Sequence, residues 1–314
     1  MTATWVVGGN GLLGSAIRKV LNTNKTHLFM HAEQFSWGDE CKINFQLESA
    51  LKAFVTFIDT KADWQIYWAA GIGSMGSTKE ELEIETAAIS TLVKLIESHP
   101  LLMKTKGSFT FASSAGAIYA GSTDYIITEK TPIAPTTAYA YEKLKQESII
   151  MEFSTNNSRL TAVIARISTL YGAGSINSKR RGLITEIARR IARNQPMQIY
   201  VPLDTMRDYI FAEDAATIII NLTIQASAKP GCIVKIIASE QPVTIAEIVS
   251  IFKKVVRRPL RIVTSASRLS SIYSRRIQFR SVVMPLIEII PKTSIVVGIN
   301  KVVNSEKLSF ASSS

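Results

Sequence analysis

Only two cysteines, Cys41 and Cys232, and three histidines, His27, His31 and His99, occur in this 314-residue chain. Two isolated thiols cannot build a disulfide scaffold, and neither they nor the scattered histidines have zinc-site spacing, so no metal site is expected. The scarcity of cysteine fits a reduced, cytoplasmic setting. Glycine and proline are sparse too, at 16 and 10 residues, which excludes collagen-like and low-complexity classes. No basic leader precedes the first apolar run at 5–7, so no signal peptide is expected. The apolar stretch 282–299 is interrupted by Pro285, Glu288, Pro291 and Lys292 and is not expected to span a membrane. What the chain does have is 46% hydrophobic residues, enough for a sizeable core in one large or two modest domains.

Acidic residues are short in one half only. Residues 1–150 hold 13 Lys/Arg against 15 Asp/Glu, whereas 151–314 hold 23 against 10, so the net +11 resides in the second half. Arg18 is the only arginine before Arg159. A basic half attracts anions, whether nucleic acid, a membrane surface or a phosphorylated small molecule. Lys179, Arg180, Arg181, Arg189, Arg190 and Arg193 form a basic surface whose simplest reading is a solvated helix face. It lacks the interleaved aromatics of single-strand binders, so nucleic acid is not expected as a partner.

Short apolar runs alternate with helical patterns through the first half, which predicts a parallel sheet covered by helices. Strands are expected at 4–7, 28–30, 65–70, 108–112 and 160–167, and helices at 12–21, around 47–58, at 79–98 and from Pro135 to about 153. His99-Pro100 reads as a helix stop. After Tyr171-Gly172 the alternation weakens. Helices are expected at 182–194, 213–224 and 244–256, with a strand at 199–201. The last helix opens on Thr244 with Glu247 three residues on, the spacing of a capping box. Residues 309–314 read as a frayed tail. The second half is expected to form a smaller lobe capping the carboxyl ends of the strands, where open α/β sheets bind ligands.

The segment Val6-Val7-Gly8-Gly9-Asn10-Gly11-Leu12-Leu13-Gly14 follows a strand and opens a helix. Gly8, Gly11 and Gly14 allow a tight turn, close approach of backbone to a pyrophosphate, and helix–strand packing, while the N–H groups around Asn10, Leu12 and Leu13 can hold phosphate. An NAD site then calls for an acid about 18–20 residues on, to bond the ribose. That place falls on Ala32, with Glu33 one residue late, and Arg18 stands ready for a 2′-phosphate. The cofactor is therefore NAD or NADP, with the missing acid tipping the reading towards NADP. His31 is a candidate for stacking on adenine, and Ala69-Ala70-Gly71 ends a strand on the same side.

Tyr139 and Lys143 lie four apart on a predicted helix and share a face. A nearby ammonium stabilises a phenolate, so the pair can move a proton to or from a hydroxyl while a nicotinamide exchanges hydride. Tyr141 and Lys145 repeat the spacing on another face. Ser113 and Ser114 end the preceding strand, where a hydroxyl can hold a substrate oxygen.

With Tyr119, Pro135, Glu147, Arg166, Tyr171-Gly172, Arg207-Asp208-Tyr209-Ile210 and Asp214, these motifs resemble the extended short-chain dehydrogenase/reductases of the NAD-dependent epimerase/dehydratase family. Pro135 four before the tyrosine and Glu147 four after the lysine match the family register at Tyr139/Lys143. The resemblance implies a Rossmann-type doubly wound parallel α/β sheet over 1–171, rejoined by 206–232. A smaller C-terminal α/β substrate-binding lobe would take 172–205 and 233–314. It implies Tyr139 as acid/base, Lys143 on the nicotinamide ribose, Ser114 or next Ser113 as the hydroxyl, and Arg207 on a sugar-nucleotide diphosphate. Arg276 or Arg275 would be a second clasp, and Thr169 stands where many members have Asn. The Thr-Asp-Glu triad of sugar dehydratases is absent from 113–117. The expected activity is nucleotide-sugar epimerisation or 4-ketosugar reduction, with hydride transfer at a sugar carbon, C4. The expected partner is a nucleotide-diphosphate sugar, and the family implies a homodimer through the helices at 79–98 and 135–153. The rival reading is a non-catalytic NAD(P)-sensing or RNA-binding protein on the same fold.

Overall fold

Ala3, Trp5 and Val7 face one way from the first strand and Val6 the other, and all are buried. That is the pattern of a strand covered on both faces. The computed structural model describes residues 2–31, 33–58, 62–71, 73–173, 182–256, 260–264, 276–285 and 292–312. The first half runs β1 (Ala3–Val7), α1 (Leu12–Thr23), β2 (His27–Phe29), α2 (Glu40–Phe57), β3 (Trp64–Trp68), α3 (Lys79–Glu97), α4 (Pro100–Lys104), β4 (Gly107–Ser114), α5 (Ala115–Ile118), α6 (Ala138–Thr155) and β5 (Leu160–Ile167). The second half runs β6 (Thr169–Tyr171), α7 (Leu183–Ala192), β7 (Met197–Ile199), β8 (Met206–Phe211), α8 (Ala212–Ala226), β9 (Gly231–Ile237), β10 (Pro242–Thr244), α9 (Ile245–Val256), β11 (Ile262–Thr264) and α10 (Ile295–Ala311).

Six parallel strands form the main sheet in the order β2-β1-β3-β4-β5-β9. The architecture is the Rossmann-type α/β sheet. β5 shows its construction: Leu160, Ala162 and Ile164 join the core on one face, and Val163, Ala165 and Ile167 join the core on the other. Residues of α2, α3 and α6 supply the first core, and α1 and α8 the second. The strand order reverses between β1 and β3, and ligands of open α/β sheets bind outside the carboxyl ends at such a switch point.

β6, β8 and β10 form a separate three-stranded sheet, and β7 pairs with β11. Of the segment 206–232, α8 and β9 return to the main sheet while β8 belongs to the small one, and β9 extends to Ile237. A third core joins Tyr171, Ile187, Phe211, Ile248 and Phe252 to Ile299, Val302 and Val303 of α10.

His99-Pro100 does stop a helix: α3 ends at Glu97, and Pro100 opens the separate short α4, where a missing N–H costs nothing. One local expectation is corrected. Residues 309–311 are not a frayed tail but the end of α10, which Ser294 caps and whose apolar face is buried in the third core. No described helix is long and apolar enough to cross a membrane.

Candidate active site

The glycine turn sits at the carboxyl end of β1. Gly8 has φ +80°, a conformation that favours glycine. A Cβ there would lie 2.6 Å from the Ala70 backbone, and one on Gly14 would lie 2.2 Å from the Gly8 carbonyl oxygen. The turn therefore packs on Ala69 and Ala70 and allows α1 to approach β1. Gly11 begins α1 without a side-chain cap, leaving the first N–H groups of the helix as phosphate donors. This cradle, closed to any side chain, fits a dinucleotide pyrophosphate. Beside it opens a cleft of about 920 Å³ that includes Asn10, Arg18, Lys19 and Gln34, with no carboxylate among its described lining residues, although Lys19 pairs with Glu213 Oε1 at 2.6 Å. Arg18 Nη1 donates to Asn10 Oδ1 at 3.2 Å and to the Gly9 carbonyl at 3.4 Å. His31 stacks on Phe35 at 5.1 Å, and its Nε2 is buried without a partner.

Tyr139 and Lys143 project from α6, which Thr137 caps by accepting the Ala140 N–H. Lys143 is buried and donates to Glu85 Oε1 at 2.6 Å and to Gln146 Oε1 at 3.0 Å. Its Nζ lies 5.1 Å from the Phe111 ring centre and 5.7 Å from that of Tyr139. Tyr141, by contrast, is exposed, and Lys145 pairs with Glu142 near the surface. Burial raises the Tyr139 pKa. Lys143 opposes this, Glu85 reinforces it, and hydrogen bonding with Ser114 opposes it, leaving the phenol above its ordinary value. The sequence argument expected the lysine's field to dominate; burial and the Glu85 charge outweigh it. For Lys143 burial acts downward, but Glu85, Tyr139 and Glu147 together more than reverse it and the ammonium is raised.

Ser113 and Ser114 diverge although adjacent, because successive strand residues face opposite ways. Ser114 interacts with Tyr139. Ser113 Oγ donates to Glu147 Oε1 at 2.6 Å, in a buried network where Arg166 Nη2 reaches Glu147 Oε2 at 2.7 Å and Arg166 Nη1 reaches the Tyr119 hydroxyl at 2.6 Å. Gly73 closes the other side: its N–H donates to Glu85 Oε2 at 3.0 Å, and a Cβ there would lie 3.3 Å from Tyr139 Cε2. A Cβ on Gly71 would lie 2.9 Å from Glu85 Oε1. Contacts of Gly8 with Ala70, of Gly71 and Gly73 with Glu85, and of Gly73 with Tyr139 thus join the glycine turn to Glu85, Lys143, Tyr139 and Ser114.

Thr169 on β6 pairs with Tyr209 of β8, and Arg207 lies on β8, donating to the Met206 carbonyl at 2.8 Å. Met206 bridges Arg276, whose guanidinium stacks 4.9 Å from the Tyr125 ring. Asp208 points inward instead, accepting from Ser168 Oγ and the Ser239 N–H, both at 2.8 Å. Asp214 anchors the start of α10 through Thr293. Among the described residues no group of three His, Cys, Asp or Glu could hold a metal. Ala32, Arg275 and Lys179, Arg180 and Arg181 lie outside the described residues.

The profile of the NAD dependent epimerase/dehydratase family matches residues 4–236. The chain belongs to that family. A dTDP-4-dehydro-6-deoxyglucose reductase of Escherichia coli is 29% identical over 104 residues, 33% of this chain and 32% of that protein, so the match spans about a third of that relative. A putative UDP-glucose 4-epimerase of Methanocaldococcus jannaschii is 24% identical over 226 residues, 67% of this chain and 70% of its own. Two solved structures share the fold of this family member, each with a TM-score of 0.79 and 18% identity over 98% of this chain. One is MoeE5 in complex with UDP-glucose and NAD, covered over 99%, and the other is RMD from Pseudomonas aeruginosa with NADPH, covered over 100%. At such identity the likeness is one of fold.

Sequence reasoning missed Glu85 and Gln146 in this candidate site. Glu85 carried a legible sign: it lies three residues after buried Leu82 and four before buried Ile89, inside the apolar stripe of α3. An acid in that stripe needs a cation.

Proposed function

We propose that this family member catalyses NAD(P)-dependent hydride transfer at a sugar carbon, C4, of a nucleotide-diphosphate sugar, with Tyr139 as acid/base. The observation that carries the reading is the meeting of Tyr139, Lys143 and Ser114, joined by contacts to the glycine turn. A bound nicotinamide dinucleotide would supply the hydride donor or acceptor. During reduction, Tyr139 Oη gives its proton to the ketone oxygen as hydride reaches the carbon, and the reverse step returns both. Lys143 compensates the phenolate charge, and Ser114 holds the substrate oxygen. Arg207 and Arg276 hold the diphosphate, with Thr169 beside them on the small sheet.

An epimerase oxidises and then re-reduces on the opposite face, whereas a 4-ketosugar reductase performs only the second step. Reduction starts from a phenol, and the raised Tyr139 pKa supplies one at neutral pH. The cleft beside the glycine turn, with Arg18 and no carboxylate among its described lining residues, supports NADP. Both features favour the reductase. A homodimer through α3 and α6 is consistent with exposed Tyr141 and Met151 on α6. The test is turnover of a panel of nucleotide 4-ketosugars and 4-hydroxysugars with NADPH and NADH. Tyr139→Phe should lower turnover by about 10²–10⁴-fold with the fold intact; unchanged turnover would refute the assignment.

A further inference from the structure

Lys143 is held by more than the proposed chemistry requires. Its ammonium has three donors, and two are taken by Glu85 Oε1 at 2.6 Å and Gln146 Oε1 at 3.0 Å. Both Lys143 and Glu85 have side chains no more than 5% exposed. The second oxygen of Glu85 binds the Gly73 N–H. One carboxylate on α3 thereby joins the lysine of α6 to the strand end that packs on the glycine turn.

We infer that Glu85 is a positioning residue of the active site: held by the Gly73 N–H, it orients Lys143 so that a single ammonium N–H remains for the cofactor or Tyr139. The inference rests on the reading of Tyr139 and Lys143 as the acid/base pair. The charged groups facing that pair are few. α3 contributes Glu85, and α6 contributes the pair itself and Glu147, whose carboxylate is already bound to Arg166 of β5. β4 brings the Phe111 ring and the Ser114 hydroxyl. Without Glu85, the phenolate becomes the nearest anion available to balance a buried ammonium. Tyr139 then loses its proton at lower pH. An ion pair whose charge did not reach Tyr139 would alter stability and leave this titration in place.

The measurement is NMR of the full-length protein carrying ¹³Cζ-tyrosine, with the Tyr139 signal assigned by its loss in Tyr139→Phe. Phenolate formation is followed against pH with and without NADP⁺. In Glu85→Gln the midpoint should fall by about one pH unit or more, and the pH above which ketosugar reduction declines should fall with it. Glu85→Asp keeps the charge one methylene further away and should give a smaller fall. That variant carries the reading if Glu85→Gln does not fold. A midpoint equal to wild type in the folded variant overturns the inference. Turnover with an unmoved midpoint overturns it alone; a moved midpoint in a protein that turns over no sugar nucleotide upholds it and overturns the assigned reaction.

Discussion

Burial lowers the Lys143 pKa, but the adjoining Glu85 carboxylate, with Tyr139 and Glu147, more than reverses it. Lys143 and Glu85 are 58 residues apart, so no local pattern announces the pair. Tyr139 and Lys143, only four apart, were legible because a helix guarantees their shared face. Ser113 and Ser114 were equally legible as a strand end but not separable until the strand's alternation sent one to Glu147 and the other towards Tyr139. Asp208 shows how a motif residue can be structural. Burial raises its carboxyl above the ordinary value despite hydrogen bonds from Ser168 and Ser239, and Oδ2 has no partner. A group with a raised folded pKa adds stability below its unfolded pKa, about 4, and loses it as pH rises through the folded value. The melting temperature of Asp208→Asn relative to wild type should therefore improve between pH 4 and pH 7. A difference constant across that range would contradict the burial argument.

Among the elements, β1, β3, β4 and β5 of the main sheet were readable as buried apolar runs, and β2 as a short apolar run; β9 was not, because its first two residues are exposed and the next two only half-buried. The small sheet was not: β6 and β10 have three residues each, too few to show a period. α10 was masked by the broken apolar stretch before it, and its role is visible only in packing. Ile299, Val302 and Val303 are at most 1% exposed, and each such burial is worth about 1.5–3 kcal/mol. A Cβ on Gly298 would lie 2.1 Å from the Tyr171 hydroxyl, a measure of how closely the helix sits. A chain ending at Ser294 should lose near-ultraviolet dichroism and bind anilinonaphthalene sulfonate while keeping most helical signal; an unchanged near-ultraviolet spectrum would refute this role. At the β1–α1 turn, the proposed NADP preference rests on Arg18. Arg18→Ala should raise KM for NADPH with little effect on NADH, and an equal effect on both would remove the case for a 2′-phosphate contact.

For the whole molecule, the switch point between β1 and β3 gathers the glycine turn and Ala69–Gly71, and α6 brings the Tyr–Lys pair beside them. The positive second half takes on a division of labour. Arg166 is consumed by Glu147, and Arg190 pairs with Glu186. Arg207 and Arg276 sit on or beside the small sheet, suited to a diphosphate. The charge excess is thus partly internal, and the proposed function gives Arg207 and Arg276 a diphosphate to hold. The central claim is that Tyr139 passes the proton that accompanies hydride transfer to a nucleotide sugar. The most direct measurement is single-turnover reduction of a nucleotide 4-ketosugar by NADPH-loaded wild type and Tyr139→Phe. The account predicts rapid loss of absorbance at 340 nm in the wild type and a rate about 10²–10⁴-fold lower in the variant, with sugar-nucleotide binding retained. Equal rates in the two proteins would contradict it.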